Sequence, residues 1–205
     1  KNIQFLSEAV SIEQAIKDSK RENSLEKVLY TPNRTRFLDD VNRPQYHLIE
    51  PEKWMNEPHA PFFFNGYYHI FYQANLHAPI WDSIQWGHLA SKDMVHWQDL
   101  PLALQSEKGF YDELGCWSGS GLVDKDGVPR IYYTAGNSNR FPNQAVALAQ
   151  PEDTEEDPLL KKWKKYPSLI KEQDIGWLGE FRDPFVWIEN DSYFMLVGTG
   201  DEHNG

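Results

Sequence analysis

Two acidic residues stand in matched surroundings. Glu57 lies in HLIEPEKWMNEPHAP, between the amide of Asn56 and the rigid ring of Pro58, at the entrance to an aromatic run. Asp183 lies in EFRDPFVW, between Arg182 and Pro184, again where an apolar run begins. An acid held between an amide or a cation and a proline is fixed more firmly than a surface acid needs. The bland alternatives are a loop Glu in the first case and a turn Asp paired with Arg182 in the second. The neighbouring guanidinium is expected to favour the ionised form of Asp183. If both segments are the first strands of repeated units, the two carboxylates converge on one pocket despite their distance in sequence.

Aromatic, amide and hydroxyl groups can furnish such a pocket. FYQ (Phe71, Tyr72, Gln73), QWGHLAS (Trp86, His88) and CWSGS (Trp117, Ser118, Ser120) supply indole faces, an amide and hydroxyls. Sugars have apolar ring faces and polar rims, and this mixture suits them. Each residue taken alone reads more readily as core or as a satisfied turn than as a ligand. Other chemistries lack their signatures: the chain has no G-x-G-x-x-G, no phosphate-binding G-x-x-x-x-G-K-[ST], no H-E-x-x-H and no G-x-S-x-G. Cys116 is the only cysteine, so an intrachain disulfide and a cysteine zinc cluster are excluded. Neither a cofactor nor a metal is expected.

The elements that must position these residues follow from pattern and turn chemistry. Aromatic residues make up 14% of the 205-residue chain, too many for a disordered polypeptide. No run of about 18 apolar residues occurs, so a membrane-spanning helix is not expected. With 20 basic against 31 acidic residues the net charge is −11, which disfavours nucleic acid and anionic membrane as partners. Residues 1–45 read as a separate segment: Ser11 to Tyr30 has spacings suited to one or two short amphipathic helices, followed by a polar linker. From Tyr46 the texture becomes short aromatic strands divided by turns. Asn65-Gly66, Asp126-Gly127 and Asn190-Asp191 mark three hairpins. QWGHLAS, HWQDL and QAVALAQ read as further strands, and another is expected near Trp163 after the charged loop PEDTEEDPLLKK. Recurring groups of four short strands suit a β-propeller, although a sandwich also uses such strands.

Five blocks in order resemble glycoside hydrolase family 32, the β-fructofuranosidase group of invertases, inulinases and levanases. They are WMNEPHAP, FYQ, WGH with SKDMVHW, WSGS and FRDP, and they span residues 46–188. The resemblance implies an all-β, five-bladed propeller, of which residues 46–205 supply the N-terminal two and a half to three blades. It implies a retaining mechanism on sucrose, fructans or a related furanoside. By motif, Glu57 occupies the nucleophile's position and Asp183 that of the transition-state stabiliser. Asn56, Gln73, Trp81, Trp86, Ser118 and Arg182 fall in or near sugar-contacting motifs. Three departures stand out: Glu57 replaces an aspartate, His59 an asparagine and Ala60 a glycine. The family's E-C-P acid/base motif is absent and is expected beyond Gly205, or on blades supplied by another chain, so residues 1–205 alone are expected to be inactive. A carbohydrate-binding propeller with altered chemistry, and a fructosyltransferase, stay open as alternatives. No signal peptide is visible, and the sequence does not fix the compartment.

Overall fold

The computed structural model describes residues 31, 33–44, 46, 48–137, 143–171 and 180–200. The helices expected over Ser11–Tyr30 lie outside the described residues. The described helical element is one 3-10 turn at Thr35–Phe37. Everything else regular among the described residues is β-strand: β1 (Trp54–Phe64), β2 (Tyr67–Asn75), β3 (Gln85–Ser91), β4 (Trp97–Leu104), β5 (Gly115–Val123), β6 (Pro129–Gly136), β7 (Gln144–Pro151), β8 (Trp163–Lys171), β9 (Glu180–Glu189) and β10 (Ser192–Gly200). They form three antiparallel sheets in chain order, β1-β2-β3-β4, β5-β6-β7-β8 and β9-β10.

The turns explain the hairpins. Asn65 and Gly66 both have positive φ (48° and 79°), as a two-residue type I′ turn requires, and so do Asn190 and Asp191 (46° and 63°). The middle hairpin is built otherwise. Gly127 alone takes positive φ (76°). Its N–H closes on the Asp124 carbonyl at 3.0 Å, while the Asp124 carboxylate accepts the N–H groups of Asp126 and Val128. That loop is a turn with one left-handed glycine, stabilised by an aspartate side chain.

A shared core lies between the first two sheets. Phe71, Trp86 and Leu104 of the first meet Cys116, Ile131, Tyr133, Ala147 and Trp163 of the second. The small residues of QAVALAQ let the layers approach closely. Gly87 is required for a similar reason: the Tyr72 ring crosses it so tightly that a Cβ there would sit 2.1 Å from Cζ. Beneath the core, Lys165 reaches both oxygens of the fully buried Asp112 at 2.9 and 2.8 Å, and Tyr133 donates to the same carboxylate at 2.7 Å. The leading strands of the three sheets are neighbours, β1 against β5 and β5 against β9.

Candidate active site

Each of those leading strands is interrupted where a chemically capable residue sits. On β1, Met55 pairs with Ala74 and Pro58 with Tyr72, so Asn56 and Glu57 together oppose Gln73. On β5, Trp117 pairs with Thr134 and Gly119 with Tyr133, which leaves Ser118 as an extra residue. On β9, Arg182 pairs with Gly198 and Phe185 with Leu196, so Asp183 and Pro184 oppose Val197. A bulge bends a strand and re-aims its side chain. Proline suits such positions because it brings no N–H needing a ladder partner. Asp183 is also left-handed, with φ of 60°, a conformation that Asp tolerates better than most residues.

The three bulges meet at one end of the sheets, around a cleft of about 430 Å³ lined by Asn56, Gln73, Trp81, Ser118, Arg182 and Asp183, with Trp117, Asn143, Gln144 and Glu180. Ser118 joins its parts. Its hydroxyl accepts from Gln73 Nε2 at 2.5 Å and donates to Glu57 Oε1. Its backbone carbonyl accepts from the Thr134 hydroxyl at 3.0 Å, and that hydroxyl accepts the Asp183 N–H at 2.8 Å. One residue thus ties both carboxylates to the sheet. Glu180 accepts from Gln144 Nε2 at 2.6 Å and from Arg182, whose Nε lies 3.7 Å from Asp183 Oδ2.

The two carboxyls are set apart electrostatically. The neighbouring His59 ring and the Ser118 hydroxyl hold Glu57 down to about 2, against its partial burial. At 3.8 Å from Glu57 Oε1, His59 Nδ1 is beyond hydrogen-bond range, so Ser118 is the direct partner. Asp183 moves upward, contrary to the expectation from Arg182. Burial raises it most, the charges of Glu57 and Glu180 add to that, and the guanidinium offsets only part. Glu57 therefore stays ionised well into acid, while Asp183 titrates above an ordinary aspartate.

Asn56, Gln73, Trp81, Ser118, Arg182 and Asp183 all face this cleft, and Glu57 reaches it through Ser118. Trp86 does not. It is fully buried, its Nε1 donates to the Trp117 carbonyl at 3.1 Å, and its ring underlies His59, so it supports the floor without offering a face to a sugar. The sequence reading missed Thr134, Asn143 and Gln144. Gln144 heads the apolar run QAVALAQ, and a polar residue at the open end of a buried strand was the available signal. Trp81 is half exposed, with its ring 5.7 Å from that of Trp117.

A model of the glycosyl hydrolases family 32 N-terminal domain matches residues 47–205. An acid beta-fructofuranosidase of Vicia faba is 43% identical over 159 residues, which are 76% of this chain and 24% of that protein. A sucrose-6-phosphate hydrolase of Zymomonas mobilis is 39% identical over 175 residues, 83% of this chain and 33% of that one. Among solved structures, fructan 1-exohydrolase IIa of Cichorium intybus superposes with a TM-score of 0.68 at 34% identity, over 77% of this chain and 29% of that chain. A family 32 beta-fructofuranosidase of Bombyx mori covers 94% of this chain and 38% of its own, with a TM-score of 0.63 at 25% identity. The chain spans about a quarter to a third of the length of the curated relatives it matches.

Proposed function

The chain belongs to glycosyl hydrolase family 32, and from that premise we propose that it carries two of the catalytic carboxylates of a retaining glycosidase acting on β-fructofuranosides. The observation that carries the reading is the alignment of three strand bulges around one cleft, which Asn56, Ser118 and Asp183 line and to which the Ser118 hydroxyl ties Glu57. Glu57, ionised and held at Oε1, attacks the anomeric carbon as the bond to the leaving oxygen breaks, forming a fructosyl ester that water then hydrolyses. Asp183 stabilises the positive charge that develops on the sugar ring. Asn56, Gln73, Ser118 and Arg182 orient hydroxyls, and Trp81 offers an exposed ring face.

The proton donor lies outside these 205 residues, in accord with the absence of an E-C-P motif and with the small share of its relatives that the chain spans. Residues 46–205 then form the N-terminal part of a five-bladed propeller. Two sheets of four strands and one of two, in chain order with their leading strands side by side, support that architecture. Residues 1–45 precede that domain, and among their described residues Arg34 donates to the Asp99 carboxylate of β4 at 2.5 and 3.0 Å, so this part is tied to the first sheet. Sucrose and fructans are the substrate class, in keeping with beta-fructofuranosidases and a fructan exohydrolase among the relatives and with a sucrose complex of the Bombyx mori enzyme.

The test is fructose release from sucrose, inulin and levan by the full-length protein. Glu57→Gln and Asp183→Asn are each expected to lower the rate by roughly 1,000-fold or more with the fold retained, and Glu57→Asp to keep more activity than Glu57→Gln. Unchanged rates in Glu57→Gln would remove Glu57 from the mechanism and favour a binding role.

A further inference from the structure

Two of the departures from the family motif, Glu57 and His59, meet at one oxygen atom. His59 sits two residues after Glu57 on β1 and is 8% exposed. The ring lies on Trp86, with 3.9 Å between centroids, and Trp86 is itself fixed by its bond to the Trp117 carbonyl. Nδ1 stands 3.8 Å from Glu57 Oε1, the same oxygen that takes the Ser118 hydroxyl. Both ring nitrogens are buried without a hydrogen-bond partner. An unpaired buried polar group is costly, so its retention at this point calls for a use. The charged groups facing the ring are Glu57 on its own strand and Asp183 on β9. Burial outweighs both and keeps the imidazole neutral.

A glutamate arm has one more rotatable bond than an aspartate arm, so its carboxylate needs more restraint to attack along one line. We propose that His59 is the positioning residue for Glu57: a neutral imidazole clamped on Trp86, with an N–H turned to Oε1, it works with Ser118 to fix that oxygen from two sides and leaves Oε2 as the attacking atom. The proposal rests on the reading of Glu57 as the nucleophile. Closing 3.8 Å to hydrogen-bond range takes a movement of roughly 1 Å. Catalytic hydrogen bonds commonly tighten by such amounts when substrate binds.

The experiment uses the full-length protein with sucrose. His59→Phe keeps a ring on Trp86 and removes both nitrogens. The expected result is a kcat lower by roughly 10–100-fold, the effect of misplacing an attacking atom by about 1 Å, with KM within about threefold. His59→Asn restores an N–H close to the position of Nδ1, and it is expected to recover most of that loss. Glu57→Gln is measured in parallel. Undiminished kcat in His59→Phe beside an inactive Glu57→Gln overturns the positioning role alone, whereas an active Glu57→Gln overturns the nucleophile reading itself. Should His59→Phe fail to fold, the near-isosteric pair His59→Asn and His59→Leu makes the same comparison, and equal kcat in the two overturns the proposal.

Discussion

Ser118→Ala separates the two halves of the site. The change removes the hydroxyl between Gln73 Nε2 and Glu57 Oε1 but leaves the backbone carbonyl that anchors Thr134 and, through it, Asp183. A hydrogen bond to a charged group contributes about 1.5–3 kcal/mol. The Glu57 side chain is 42% exposed, so water replaces part of the lost bond and the lower end of that range applies. At about 1.4 kcal/mol per tenfold, kcat should fall by roughly 10–30-fold. Gln73, nearly buried, loses its acceptor as well, and a small rise in KM is expected. The assay is initial-rate fructose release by the full-length variant, with a thermal melt to show that the fold persists. A change in kcat below twofold in a folded variant would refute the argument that Ser118 holds the attacking carboxylate.

Four further outcomes follow from the same geometry. Because Asp183 is raised and Glu57 depressed, the acid limb of kcat/KM is expected to follow Asp183, and Arg182→Met should move it to higher pH; an unmoved limb would take Asp183 out of that assignment. The buried His69–His88 pair, 2.9 Å apart, refuses protons that the unfolded chain accepts: His69 is pushed from 6.5 to about 4 by burial, so stability falls as pH drops through that window, by about 1.4 kcal/mol per pH unit for one His. Burial also pushes His88 well below its usual value, and Glu50, raised to about 7, acts in the opposite direction, so the test is a difference: in melts between pH 6.5 and 4.5, His69→Gln should lose less stability than the parent protein by about 1.4 kcal/mol per pH unit, and equal slopes would refute it. Gly87→Ala drives a Cβ into the Tyr72 ring and should destabilise by about 1–3 kcal/mol or more by denaturant unfolding, and Gly87→Ala/Tyr72→Ala should cost less than the sum of the two single changes. Lys165→Met strands the buried Asp112 carboxylate and should cost about 3–5 kcal/mol, while a loss below 1 kcal/mol would show that Tyr133 and Cys116 suffice to hold that charge.

What the sequence discloses here is what local chemistry decides. Asn65-Gly66 and Asn190-Asp191 announce their hairpins because few residue pairs accept two positive φ values in succession. QWGHLAS and QAVALAQ are legible because a strand buried on both faces reads as a run of apolar and small residues. The Asp124 loop was less legible, since its geometry depends on a side chain bonding back to Asp126 and Val128. The site divides in the same way. Glu57 and Asp183 stand out through the prolines beside them, but the bulges that aim them depend on register with β2 and β10, which no local pattern encodes. Trp86 and Trp81 look alike in sequence, yet one is sealed beneath His59 and the other is half exposed. The upward shift of Asp183 was illegible for a related reason: Arg182 is visible as its neighbour, whereas its burial and the charges of Glu57 and Glu180 arise only in three dimensions.

The proposed mechanism depends on Glu57 as the attacking group. With a fructosyl donor whose leaving group departs readily, the second step is expected to limit turnover and the ester intermediate to accumulate. The full-length protein is mixed with such a donor, quenched in acid during the first turnover, digested, and its peptides are weighed by mass spectrometry. The prediction is one fructosyl increment on the peptide containing Glu57, absent in Glu57→Gln. A fructosyl increment on Asp183 or any other carboxylate, or a first-turnover burst of leaving group with no modified peptide, would contradict it.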